Sequence, residues 1–268
     1  MCPVTGDNSA KKMSDTKKPL ELAFDTVALD CGGSIVSELH PYLELKAKGH
    51  APNDADYFFP AHNVVAELKR LEKDTFDPVD DPRIRAMTNE WIAGGLIPPP
   101  ENPVFKLNLR ELPEACANQA MRFFSKRIQD KVVDANRQIK KTKETLQLTD
   151  ATKGLLLVAS DGNGVLYPES VVILLARIFK APHYSSIHSV IYFNYTVVAE
   201  SPSLDSNVLF WIDSAIRDGG VPRQLMRDLE RRWSACLQDM YGRRTLSRVQ
   251  GDEPLLADLR FKKKDRKK

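Results

Sequence analysis

The sequence predicts an α/β protein, a mixed β-sheet flanked by helices with a helical insertion in its middle. Three observations carry this. Apolar runs near 55–60, 63–70, 154–160 and 188–198 have strand character, and helical stretches lie between the later ones. A segment of about 70 residues, rich in Ala, Gln, Lys and Arg in its second half, parts the first two strands from the second two. At 268 residues the chain can bury a substantial core. The expected organisation is a tail over 1–20, one α/β domain over 21–250 with the insertion at about 80–150, and a basic tail over 251–268.

Each element has its own signal. "MCPVTGDNSAKKMSDTKKPL" lacks the apolar centre of a signal peptide and reads as a disordered tail. "PLELAFDTVALDCGG" is a strand or a short helix running into a glycine turn. "SIVSELHPYLELKAKGH" has helical spacing interrupted at Pro41. After a hairpin, "DTFDPVDDPRIRAMTNEWIAGGLIPPPENP" gives a short helix over 82–93 and then a Pro-rich linker. Residues 111–147 form one long helix or two. "GLLLVASDGNG" is a buried strand stopped by a turn, and "PESVVILLARIFK" is a helix with Pro168 in its first turn. "SVIYFNYTVVAE" is a β-branched and aromatic strand, while "NVLFWIDSAI" fits strand or helix. The last helix, "VPRQLMRDLERRWSACLQDMYG", has an apolar stripe of Leu225, Leu229, Trp233, Cys236 and Met240, with Arg223, Arg227 and Arg231 opposite.

Composition narrows the function classes. Hydrophobic residues make up 42% and charged residues 28%, the balance of a soluble globular chain. No apolar run approaches the roughly 20 residues of a membrane-spanning helix, so no membrane partner is expected. Four scattered cysteines without a CxxC pair argue against a disulfide framework or a zinc knuckle, and suit a reducing, cytoplasmic setting. Net charge is +3, but residues 122–143 carry eight Lys/Arg against Asp130 and Asp134, and residues 260–268 carry seven against Asp265. Such patches fit a polyanion or an ordinary solvated face equally well.

The chemistry concentrates in "DADYFFPAHNVVAELKRLEK", residues 54–73. Side chains alternate along a strand, so Val65, Glu67 and Lys69 share one face, while Val64, Ala66 and Leu68 share the other. With a turn of two residues (Ala61, His62) or four (Pro60 to Asn63), paired positions sum to 123 and Asp56 falls opposite Glu67. Directly opposed β-carbons lie about 4.5–5.5 Å apart, and like charges there destabilise the pair unless a cation lies between them. Lys69 is one such cation and a divalent metal is the other; a turn of odd length removes the pairing. Asp30 with "LELK" (Glu44, Lys46) is a competing string, but its surroundings read as helix, where positions i and i+2 diverge.

An Asp, a spacer and Glu-x-Lys on an apolar strand resembles the PD-(D/E)xK nuclease superfamily, through "ADY" with Asp56 and "VVAELK" with Glu67 and Lys69. The resemblance spans residues 25–72 and, more loosely, 154–198. It departs in having Ala55 where many members have proline. It implies a restriction-endonuclease-like αβββαβ core, with "AFDTVALD" as a candidate for its first strand. It also implies Mg²⁺ or Mn²⁺ held by Asp56, Glu67 and the carbonyl of Leu68, with Lys69 positioning water for phosphodiester hydrolysis. Many members add an acid from the first helix, for which Glu38 is the candidate, and some add a Gln-x-x-x-Tyr, faintly echoed by Gln119 and Phe123. The implied partner is nucleic acid, DNA before RNA, gripped by Lys126, Arg127, Lys131, Arg223 and Arg227; a homodimer is an allowed assembly. The alternative is a non-catalytic nucleic-acid- or protein-binding scaffold with a nuclease-like core. "SDGNG" reads as a plain turn, because no Gly-Lys-Ser/Thr follows.

Overall fold

A computed structural model describes residues 19–39, 44, 54–72, 81–99, 112–161, 168–194, 208–241 and 247–250. Of the tails expected at 1–20 and 251–268, residues 1–18 and 251–268 lie outside the described residues, while Pro19 and Leu20 already belong to a helix in which Leu20 is buried; Pro41 and the "SDGNG" turn beyond Asp161 also lie outside. The chain begins with helix α1 (Pro19–Asp30), strand β1 (Ser34–Ile35) and a 3-10 turn (Val36–Glu38). Strand β2 (Tyr57–Phe59) and strand β3 (Val64–Glu72) form the hairpin. Helices α2 (Pro82–Ala93) and α3 (Glu114–Thr145) lead to β4 (Lys153–Asp161), α4 (Pro168–Phe179) and β5 (Ser189–Asn194). Strand β6 (Val208–Ala215), helix α5 (Arg223–Tyr241) and β7 (Ser247–Gln250) complete the described fold.

The strands make one seven-stranded mixed sheet in chain order, β1 to β7. Strands β3, β4 and β5 are parallel, whereas β1–β2, β2–β3 and β5–β6 pair antiparallel and β6–β7 parallel. Side-chain alternation divides the sheet into two apolar faces. Val65, Leu71, Leu156 and Val158 pack with α2, α3 and α4 on one face. Val64, Ala66, Leu155 and Leu157 pack with α1 and α5 on the other. Crossovers between parallel strands are right-handed, so the β3–β4 and β4–β5 connections lay their helices on the same side. Strand β6 runs the opposite way, and the same rule sends α5 to the opposite side.

Two expectations change. "AFDTVALD" is not a strand: it lies within α1, whose Phe24 packs on Trp233 of α5 and on Phe193 of β5 at 5.6 and 5.3 Å between ring centroids. A helix pressed against sheet and helix together is apolar around most of its girth, which hides its 3.6-residue period. The first strand is instead Ser34–Ile35, at the start of the run expected to be helical. On α5 the buried stripe continues through Leu237, while Met240 is 42% exposed. Residues 114–145 form one helix, and "NVLFWIDSAI" is strand β6.

Gly154 at the start of β4 is a position of close approach. A β-carbon there would lie 1.9 Å from the Ser186 carbonyl oxygen and 2.9 Å from Ile139 Cγ2. Overpacking against backbone is relieved only by moving a strand, so Gly154→Ala should cost about 3 kcal/mol. Chemical denaturation of the two proteins measures this, and a variant of wild-type stability would show that the approach is looser than described.

Candidate active site on the hairpin

The hairpin turn uses four residues. Pro60–His62 form a 3-10 turn and Asn63 takes the left-handed conformation at φ 52°, ψ 52°, which asparagine tolerates better than most residues. The observed pairs are Tyr57 with Ala66, Phe58 with Val65 and Phe59 with Val64, all summing to 123. Asp56 follows one residue before β2. Its amide donates to the Ala66 carbonyl at 3.2 Å, and its Oδ2 accepts the Leu68 amide at 2.7 Å. Asp56 is thereby tied to the residues on both sides of Glu67.

Glu67 sits on the α3 side of β3, between Val65 and Leu71, and is only 2% exposed. Its Oε1 accepts from Lys69 Nζ at 2.7 Å, whereas its buried Oε2 meets no hydrogen-bond donor. Burial pushes the Glu67 carboxyl well above the usual carboxylate range, and the charge of Asp56 pushes it further. Burial also raises Asp56 to about 6, against the pull of the Leu68 amide and the Lys69 charge. The amide of Leu68 points to the edge where Asp56 lies. A strand residue directs its N–H and C=O towards the same neighbour, so the Leu68 carbonyl faces that edge too.

Helix α3 covers the pair. Gln138 Oε1 accepts from Lys69 Nζ at 2.5 Å, and Gln138 Nε2 donates to the Asp54 carbonyl at 3.1 Å. Thr142 Oγ1, one turn further, accepts the buried Ala55 amide at 2.8 Å. Lys141 Nζ lies 3.6 Å from the Asp54 carboxylate, whose side chain is 5% exposed and receives no hydrogen bond. Burial lowers the Lys131 ammonium, which lies among the charges of Glu72, Lys69 and Arg70.

The other expected residues are distributed differently. Glu38 is exposed on the 3-10 turn after β1, and the outside carboxylate whose charge raises Asp56 is Glu21, in the first turn of α1. Glu21 also pairs with Arg70 Nε at 3.2 Å. Its signal was present in "PLELAF" and became readable only once that segment was helix. Gln119 accepts from Trp91 Nε1 at 2.8 Å in the first half of α3, so the glutamine at the site is Gln138. Arg127 is engaged in the fold: it pairs with Asp81 and lies over the Phe123 ring, 4.9 Å from its centroid. Lys126 is exposed on α3, and Arg223 and Arg227 are exposed on α5, against the opposite face of the sheet. His188 is structural, since Nδ1 takes the Gly154 amide at 3.0 Å and burial lowers the ring to about 4. Among the described residues, no group of three or more His, Cys, Asp or Glu is arranged to hold a metal ion, and Cys31, Cys116 and Cys236 are free thiols. No helix among them is long and apolar enough to cross a membrane.

Comparison with known proteins adds no relative: no family model, no curated protein and no solved structure matches the chain.

Asp56 keeps its proton in the folded chain to a higher pH than in the unfolded chain. The stability this contributes is complete below its ordinary value of 3.8 and is lost as pH rises through about 6. In chelator-containing buffer, wild-type stability should fall over that window, and Asp56→Asn should flatten the fall by about 2 kcal/mol. An unchanged slope would assign the titration elsewhere. Arg127→Ala should cost about 1–2 kcal/mol in denaturant unfolding by weakening the hold on buried Asp81; a cost in nucleic-acid affinity with stability intact would reverse that reading.

Proposed function

We propose that the chain is a metal-dependent nuclease of the PD-(D/E)xK type, hydrolysing phosphodiester bonds of nucleic acid, with DNA as the first substrate. The observation that carries the reading is the convergence of Asp56 on Glu67, with Lys69 against Glu67 on the same face of β3. The element order supports it: a helix, three antiparallel strands, helices, then a fourth strand parallel to the third. That order is compatible with the αβββαβ core that the resemblance implies.

The residues fit a hard divalent cation. Two buried carboxyls, of which Asp56 raises the proton affinity of Glu67, a Glu67 oxygen without a donor and a backbone carbonyl at the same edge are an oxygen donor set. Asp56, Glu67 and the Leu68 carbonyl would hold Mg²⁺ or Mn²⁺, which supplies charge neutralisation at a phosphate and an acidified water. Lys69 would direct its ammonium at the phosphate oxygens and orient the attacking water as the P–O bond to the leaving oxygen breaks. On the same side of the sheet, Lys126 and Lys131 lie along α3 for the phosphate backbone, giving affinity that falls with salt. Arg223 and Arg227 would serve a separate contact.

Purified protein with Mg²⁺ or Mn²⁺ should nick or degrade DNA, and Glu67→Ala should abolish cleavage. Equal cleavage by mutant and wild type would remove the assignment. A second reading, a non-catalytic binding scaffold on a nuclease-like core, is favoured by one observation: Lys69 already neutralises Glu67 at 2.7 Å. A calorimetric Mn²⁺ titration separates the two. Heat that disappears in Asp56→Asn supports the nuclease, and a wild type that binds no Mn²⁺ supports the scaffold.

A further inference from the structure

Lys69 Nζ has two partners of different kinds. Glu67 offers a carboxylate at 2.7 Å and Gln138 an amide oxygen at 2.5 Å. The carboxylate both holds and neutralises the ammonium, whereas the amide holds it and leaves its charge available to an anion. The amide itself cannot turn over. Its Nε2 donates to the Asp54 carbonyl at 3.1 Å, and exchanging N for O would face donor with donor at Lys69 and acceptor with acceptor at Asp54. Thr142 and Lys141, four and three residues on and so on the same side of α3, hold Ala55 and Asp54 in turn. The helix is thus fastened to the segment that enters Asp56 and reaches Lys69 through one residue.

We propose that Gln138 is the positioning residue for Lys69, a neutral clamp that keeps the ammonium aimed at an anionic phosphodiester when Glu67 is engaged elsewhere. The catalytic part of this rests on the nuclease reading; the clamp itself does not. Gln138 touches no reacting atom and acts through Lys69 alone.

Side-chain ammonium NMR of the metal-free protein reads how firmly Lys69 Nζ is held. Lys69 should be ordered in the wild type, remain ordered in Glu67→Ala, become mobile when Gln138→Leu is added to Glu67→Ala, and regain order when Gln138→Glu, which restores the acceptor, is added instead. If the double variant with Gln138→Leu does not fold, Gln138→Asn in the same background, one methylene short of its partners, gives the same readout. Lys69 equally ordered without Gln138 in the Glu67→Ala background would overturn the proposal. In cleavage assays Gln138→Leu should lower kcat about 10- to 100-fold, with KM and Mn²⁺ affinity unchanged. Unchanged kcat despite a mobile Lys69 would also overturn it. A wild type that cleaves nothing would end the nuclease reading, while the ammonium signal still decides whether Gln138 holds Lys69.

Discussion

A carboxylate buried beneath a helix is the constraint on which the rest of this structure turns. Glu67 occupies a position on β3 that the alternation of the strand reserves for an apolar residue, since Val65 and Leu71 on the same face belong to the core under α3. A charge placed there is unfavourable unless it is neutralised or paired. Lys69 supplies a cation from two residues along, Asp56 supplies a partner across the hairpin, and α3 contributes an amide in place of a further apolar side chain. Removing any one of these leaves the others with groups that water cannot reach.

The sheet explains why such a cluster can be assembled at this place. Strand β2 begins at Tyr57, so beyond Ala66 the β3 edge has no strand beside it among the described residues, and the chain entering β2 lends the Asp56 side chain instead. On its other edge β3 is paired with β4 along its full length. The site therefore combines a strand held rigidly by one neighbour with an edge that still has hydrogen-bonding capacity. The reversal of direction at β6 puts α5 on the other face, which is why the two basic helices address different surfaces.

Much of this was legible in the sequence, for identifiable reasons. The hairpin register followed from strand periodicity and an even turn length, both local properties of residues 55–70. The helix at 82–93 and the strands at 153–161 and 189–194 carried strong local signals. What local pattern could not supply were relations between distant segments. Helix α1 is apolar on several sides because it touches both the sheet and α5, so it resembled a strand and concealed Glu21. Arg127 looked like one cation in a basic run, and only the tertiary fold brings Asp81 against it. Gln138 and Asp54, 84 residues apart, carried no shared signal at all.

The left-handed Asn63 links this site to its scaffold at the far end of the hairpin. Its carbonyl accepts the Lys153 amide at 2.9 Å and its side chain accepts the Thr152 hydroxyl at 2.7 Å, so the turn is anchored to the first residues of β4. The stretch from Pro60 to Asn63 thus acts as a gauge block between two acids it never contacts. One residue more or fewer there would carry Glu67 to the opposite face of the sheet or slide Asp56 past it, without altering a single side chain of the cluster. Loops usually tolerate changes of length; this one sets a distance, and its residue count is as much a part of the chemistry as the carboxylates are.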